Sequence, residues 1–150
     1  MYFGETAINL DAKGRLAIPT RYRDAIQQAC GGKMVLTYSA FDSGALYLYP
    51  EKEWERVRDA VTGLSTFNGA HRSLQRRLVG SASAVEPDAN GRIQLPQTLR
   101  QVASLEKKVV LLGMGNRFEI WNENILNQKR IEEERGLDES ASEEMSRLVL

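Results

Sequence analysis

Cysteine and histidine are almost missing from this sequence: Cys30 and His71 are the only ones in 150 residues. A single cysteine closes no internal disulfide, which fits a reducing compartment. One residue of each kind also leaves no His/Cys metal cluster and no cysteine–histidine couple with a second histidine behind it. Cys30, just ahead of Gly31, reads as a small buried residue at a helix end. His71, among Arg72, Arg76 and Arg77, reads as a surface side chain. There is no phosphate loop with Gly-Lys-Ser/Thr, and "GMGNRF" at 113–118 lacks the third glycine and the following helix of a dinucleotide site, so it reads as a hairpin turn. No apolar run reaches the length of about 18 residues that a membrane-spanning helix needs. The opening "MYFGETAINL" has no basic segment leading into an apolar one, so no signal peptide is expected. These absences predict a cytoplasmic protein with no enzymatic activity, no cofactor, no metal and no membrane partner.

Net charge is missing too, with 20 basic and 20 acidic side chains, but it is unevenly spread. Residues 131–150 carry seven acids and two arginines, which leaves 13 acids and 18 bases in residues 1–130. A body of net charge +5 beside a tail of −5 is compatible with a polyanionic partner, because local charge steers association. Composition alone favours the plainer reading, a solvated surface plus an acidic C-terminal helix.

What the sequence does contain is one sentence written twice. Residues 9–23 read "NLDAKGRLAIPTRYR" and residues 86–100 read "EPDANGRIQLPQTLR". Asp11, Gly14, Arg15, Leu16, Ile18, Pro19 and Arg23 match Asp88, Gly91, Arg92, Ile93, Leu95, Pro96 and Arg100. An internal repeat governs how the rest is read. In "ETAINL" Thr6, Ile8 and Leu10 alternate onto one strand face, and Ser83 and Val85 occupy the matching places in "SASAVE". "DAKG" and "DANG" are turns, since Asp can bond the backbone ahead of it and Gly allows positive φ. Asn90-Gly91 is also a strong hairpin signal. "RLAIP" and "RIQLP" are short return strands with Leu16, Ile18, Ile93 and Leu95 facing inward, ended by a proline suited to the first turn of a helix. Helical spacing then picks out Tyr22, Ile26 and Ala29 in one copy, and Leu99, Val102 and Ala103 in the other. "MVLTYS" with "ALYLYP", and "KVVLLG" with "RFEIWN", complete the two units.

The expected organisation is a repeat over residues 5–52, a helical connector over 53–80, a second repeat over 81–124 and C-terminal helices over 125–150. Trp54, Val57, Val61 and Leu64 form one helical stripe in the connector, and Leu74 and Leu78 another behind an Asn68 cap. Asp138 is the expected cap of the last helix. A unit of under 50 residues has a small core and open strand edges. Pairing the two copies remedies both, and predicts an α+β fold: one closed β-barrel with pseudo-two-fold symmetry and flanking helices.

Asp11 and Asp88 are related by the pseudo-symmetry, and paired carboxylates from two halves can do acid–base work. Each, however, stands in a turn four residues before an arginine, where turn amides and the cation hold a carboxylate ionised and structural. The binding reading is stronger. Residues 11–23 carry Lys13, Arg15, Arg21 and Arg23, whereas 88–100 keep only Arg92 and Arg100, with Asn90 in place of Lys13. Arginines on a turn and at a helix start can meet phosphates or offer bidentate donors to guanine. The alternative for Arg15 and Arg92 is a salt bridge that only fixes the turn.

The doubled Asp-x-x-Gly-Arg, apolar, x, apolar, Pro order resembles the twin motifs of the MraZ family of bacterial transcription regulators, within the SpoVT-AbrB superfamily. The resemblance spans almost the whole chain. It implies a swapped-hairpin barrel, a ring-shaped homo-oligomer, and binding to repeated boxes of double-stranded DNA in the promoter of its own operon of division and cell-wall genes. Carried onto this sequence, it points to Arg15 as the main reader, to Lys13, Arg21, Arg23 and Arg92 as further DNA contacts, and to Asp11, Gly14, Asp88 and Gly91 as the residues that shape the loops. A repressor associated with the nucleoid follows from that reading. A structural protein-assembly module that binds no DNA is the rival from another class, and salt dependence separates the two.

Overall fold

A computed structural model of the chain describes residues 1–140 and 142–150, with side chains described outside 137–141. The first copy forms β1 (Tyr2–Asn9), β2 (Arg15–Ala17), α1 (Thr20–Cys30), β3 (Met34–Tyr38) and β4 (Ala45–Pro50). The connector forms α2 (Glu51–Thr62) and α3 (Gly69–Leu78). The second copy forms β5 (Ser83–Val85), β6 (Arg92–Gln94), α4 (Gln97–Val102), β7 (Lys108–Gly115) and β8 (Phe118–Asn122). α5 (Glu123–Ser140) and α6 (Glu143–Ser146) follow. Among the described residues, no helix is long and apolar enough to cross a membrane.

Every strand of one copy bonds to the other copy. β1 pairs antiparallel with β7, with Ile8 opposite Val109, and β5 pairs with β3, with Val85 opposite Met34. β2 pairs with β6 through Leu16 opposite Ile93. β4 pairs with β8 so that Leu46 meets Ile120 and Leu48 meets Phe118. These ladders build a six-stranded sheet in the order β1-β7-β8-β4-β3-β5, plus the separate ribbon β2-β6. The fold is therefore α+β and antiparallel, but its hydrogen bonding does not close into the expected barrel. β1 and β5 are the sheet's edges, and β2 and β6 are too short to bridge them. Pro19 and Pro96, which cap the helices that follow, stop each of those strands soon after it begins.

The ribbon lies over one face of the sheet, and the main core fills the space between. Leu16, Ile18, Ile93 and Leu95 from the ribbon region meet Leu36, Leu46, Leu48, Leu111, Phe118 and Ile120 from the sheet. Tyr22 and Ile26 of α1, with Leu99 and Ala103 at α4, close the sides. Two positions of the expected helical stripes differ: Ala29 is exposed, and Val102 is 47% exposed. The residue after each of them, Cys30 and Ala103, meets the core instead.

The opposite face of the sheet is also covered. Val35, Tyr47 and Tyr49 pack against Trp54, Val61 and Leu78 of the connector helices, while Val110 and Trp121 pack against Leu126 of α5. This explains why "ALYLYP" is buried at all six positions rather than at alternate ones. Among the described residues Glu119 is the one buried acid; it accepts from Trp121 Nε1 at 2.8 Å and pairs with Arg117 at 3.2 Å, which offsets its desolvation. Asn68 caps α3 as expected, accepting from Ala70 and His71. The "GMGNRF" segment is a hairpin turn between β7 and β8, with Met114 N–H donating to Arg117 O. The cap expected of Asp138 lies outside the described side chains. α5 runs on to Ser140, and Ser142 caps α6.

Residues 1–78 expressed alone keep only the β3–β4 ladder, because β1, β2 and the outer edges of β3 and β4 lose their partners. That half should be aggregated, unfolded or domain-swapped. Sizing with a denaturant melt checks this, and a cooperative monomer would contradict the interlocked pairing.

Candidate nucleic-acid interface

The two repeated turns have the same hydrogen bonds. Asp11 Oδ1 accepts from the N–H groups of Lys13 at 2.9 Å and Arg15 at 2.8 Å. Asp88 Oδ1 accepts from Asn90 at 2.8 Å and Arg92 at 3.0 Å. Gly14 and Gly91 each donate to the carbonyl of their own Asp, and each Asp N–H donates to the carbonyl of its Arg. The loop is thus locally a tight hairpin, as Asn90-Gly91 signals, yet the strand leaving it turns away and pairs with its counterpart from the other copy. Ile18 N–H donates to Gly91 O and Leu95 N–H to Gly14 O, so each loop is tied to the strand end of the other.

Gly14 and Gly91 have φ of +76° and +74°, and their faces are covered by arginines from the other copy. A Cβ on Gly14 would lie 2.4 Å from Arg100 Cζ, and one on Gly91 would lie 2.5 Å from Arg23 Cζ. Each of these arginines is fixed by a bond from its Nε: Arg23 to Ile18 O at 2.8 Å, Arg100 to Leu95 O at 3.0 Å.

Arg15 and Arg92 are held differently. Arg15 Nε donates to Asp11 Oδ2 at 2.6 Å, a close charge-assisted bond that leaves its two terminal nitrogens for an outside partner. Arg92 reaches Asp88 Oδ2 at 3.6 Å and Asp11 Oδ2 at 3.8 Å, and its buried Nε makes no hydrogen bond. The Arg15 amide does most to hold the Asp11 carboxyl below its ordinary value, against a smaller opposing effect of burial, with the Arg15 guanidinium and the Lys13 amide adding to it. For Asp88 the Arg92 amide is the main cause, again against burial, followed by the Asn90 amide and the charges of Arg92 and Arg15. Groups held this firmly ionised are structural anions rather than proton shuttles.

The ladder between β2 and β6 brings the two loops side by side. Leu16 and Ile93 point into the core, so Arg15, Ala17, Arg92 and Gln94 form the outer face, with Arg15 opposite Gln94 and Ala17 opposite Arg92. Lys13 projects from the tip of the first loop, exposed. Of the residues read from the sequence, Asp11, Lys13, Arg15, Asp88 and Arg92 are thus gathered. Arg23 stands against the Gly91 loop instead of its own. Arg21 turns toward β1, bonding Thr6 Oγ1 and Tyr22 Oη, and lies away from the cluster. Two participants were missed. Gln94 Nε2 donates to Lys13 O at 2.8 Å, and Arg100 is the counterpart of Arg23. The repeat alignment contained the second signal, since Arg23 and Arg100 match.

Gly14→Ala should cost about 1–3 kcal/mol through its positive φ and the displaced Arg100, read as a lowered thermal midpoint. A second expectation concerns acid. Because both loop carboxyls titrate below their ordinary value in the folded state, their stabilisation is complete above about pH 4. It is lost as pH falls through the folded values. Asp11→Asn should therefore flatten the acid limb of a stability–pH curve while changing its shape little above pH 5.

The comparisons with known proteins agree with one another. The family model described as "MraZ protein, putative antitoxin-like" matches twice, over residues 1–77 and 78–149. Proteins named Transcriptional regulator MraZ from Xanthomonas oryzae pv. oryzae and Stenotrophomonas maltophilia are each 52% identical over 123 residues, 82% of this chain and 83% of theirs. One of the same name from Marinobacter nauticus is 47% identical over 143 residues, 95% of this chain and 91% of its own.

Proposed function

The chain belongs to the MraZ family, and from that premise we propose that it regulates transcription by binding double-stranded DNA through the β2–β6 ribbon. The observation that carries this reading is the shared outer face of that ribbon, where Arg15, Arg92 and the neighbouring Lys13 stand beside two ionised aspartates. The major groove of B-DNA admits a two-stranded β-ribbon, and arginine is the side chain that bonds guanine O6 and N7 bidentately. Arg15 is the main reader, because Asp11 holds its Nε and presents its remaining nitrogens. Lys13 contacts phosphate. Arg92 is the weaker contact, and Arg23 serves mainly by seating the second loop, as does Gly91 beneath it. Arg21 would contact phosphate only at the margin of such a complex.

The cross-copy ladders support the swapped-hairpin organisation that the SpoVT-AbrB resemblance implies. One ribbon meets few phosphates, which leaves affinity in the non-specific range of roughly 10⁻⁴–10⁻⁶ M at physiological salt. Useful control therefore requires several subunits on several boxes, where linkage raises avidity by about 10²–10⁴. This fits a ring-shaped homo-oligomer on repeated promoter boxes, repressing its own operon of division and cell-wall genes from the nucleoid. A protein-assembly module would rather present an apolar outer face than a ribbon carrying Arg15, Arg92 and Gln94.

Arg15→Ala should nearly abolish specific binding to the DNA upstream of the protein's own gene while leaving the fold intact, at roughly 1–3 kcal/mol per subunit. Arg92→Ala should weaken it less. Fluorescence anisotropy with a circular-dichroism control reads both, and equal losses would defeat the unequal roles. Sizing should show a multimer well above 16.9 kDa. Deleting one box, or moving it by half a helical turn, should lower affinity sharply.

A further inference from the structure

Each loop is flanked by a groove, and pseudo-symmetry makes the two comparable. The groove beside the first loop has a volume of about 460 Å³ and includes Asp11, Gly14, Arg100, Glu106 and Lys107 in its wall. The groove beside the second loop, about 330 Å³, includes Arg23, Asp24, Gly32, Glu86 and Asp88. Both are formed in the same way, by one copy's turn against the helix and following segment of the other.

Their charges are not the same. Ile8 pairs with Val109 and its counterpart Val85 pairs with Met34, so Lys107 corresponds to Gly32 and Glu106 to Gly31. The repeat offset matches Gln101 with Asp24, Asn9 with Glu86 and Lys13 with Asn90. Four of these five differences make the surroundings of the first groove more positive, and only Glu106 runs the other way. The wall of the first groove carries Arg100 and Lys107 against Asp11 and Glu106, and its loop adds Arg15, paired with Asp11, and the exposed Lys13. At the second, Arg23 and Arg92 face Asp24, Glu86 and Asp88. A body folded nearly symmetrically has thus been charged in opposite senses at its two grooves.

We propose that the groove beside the first loop seats a backbone phosphate of bound duplex DNA, with Lys107 and Lys13 as its cations, and that the second groove excludes one. This rests on the DNA-binding reading above and adds a contact from the second copy to the first copy's loop. Arg100 is a positioning residue here: its Nε is committed to Leu95 O and its guanidinium covers Gly14. Lys107 is free for the role. Its backbone carbonyl accepts from Leu10 N–H, while its side chain is exposed and holds nothing in the fold. At the second groove Asp24 and Glu86 repel a phosphate at the corresponding place, so the duplex leans toward the first loop. The outer face is then read in one orientation.

The experiment uses the full chain and a duplex carrying its repeated boxes, with affinity measured across a salt series. Lys107→Gln should weaken binding to all sequences alike and make the log–log salt slope shallower by about 0.9 for each subunit engaged, with an unchanged thermal melt. Asp24→Asn with Glu86→Gln should tighten binding to all sequences alike and steepen the slope, because it removes the repulsion that keeps a phosphate out of the second groove. An unchanged slope in Lys107→Gln, or an unchanged affinity and slope in the Asp24/Glu86 variant, overturns the one-sided seat while the wild-type protein still binds DNA. Failure of the wild-type protein to bind any duplex removes the DNA reading itself, and the seat with it.

Discussion

The hydrogen-bonded ladder between the two copies is the constraint on which the rest of the molecule depends. β1 has no partner in its own copy, nor has β2, so neither forms unless the second copy is already in place. The same ladder sets the loop geometry. Were β2 to fold back on β1, the two Asp-x-x-Gly-Arg turns would sit at the ends of separate hairpins. Pairing β2 with β6 instead ties each loop to the strand end of the other, Ile18 to Gly91 and Leu95 to Gly14. It also buries Leu16 and Ile93 completely. Each such side chain contributes about 1.5–3 kcal/mol, far more than the exposed ion pairs beside it. The apolar inner face thus sets where the polar outer face stands.

On that footing the aspartates have a clear physical role. A five-residue loop carrying a half-buried arginine would ordinarily lose much of any binding energy to the ordering of its side chains. Asp11 removes part of that loss beforehand: one carboxylate oxygen gathers two backbone N–H groups, and the other orients the Arg15 guanidinium. The arrangement works only while the carboxylate is ionised, and its own amide bonds keep it so. In the second copy the same backbone bonds form, but Arg92 stands at 3.6 Å and 3.8 Å from two carboxylates rather than firmly on one. The loops therefore differ in preorganisation as well as in charge.

Much of this was legible in the sequence, because the repeat isolates what a turn and a core require. The turns, the inward positions of Leu16, Ile18, Ile93 and Leu95, the Asn68 cap and the connector stripe all follow from local chemistry. The partner of each strand does not. An alternating pattern and an Asn-Gly turn satisfy a within-copy hairpin as well as a cross-copy ladder, and only long-range packing decides between them. The same holds for closure, since the lengths of β2 and β6 are set by Pro19 and Pro96 within a three-dimensional frame. At the site, the basic count in residues 11–23 suggested that charge belongs to the copy that carries it. In the folded chain Arg23 serves the second loop and Arg100 the first, so part of that imbalance is exchanged between copies.

Fusion of the two copies is what permits such a division. In a dimer of identical chains any substitution appears in both loops, so a charge that helps one groove must also stand in the other. In a single chain the scaffold positions can stay alike while the groove positions drift apart. The residues common to both copies here, Asp, Gly, Arg, the two apolar positions and Pro, are those whose hydrogen bonds and packing the ladder requires. The residues that differ, Lys13 against Asn90 and Lys107 against Gly32 among them, are absent from the core and from the β2–β6 ladder. Stability constrains the first set and leaves the second set open to change. A pseudo-symmetric fold can thereby present an asymmetric surface to its partner without strain in the body that carries it.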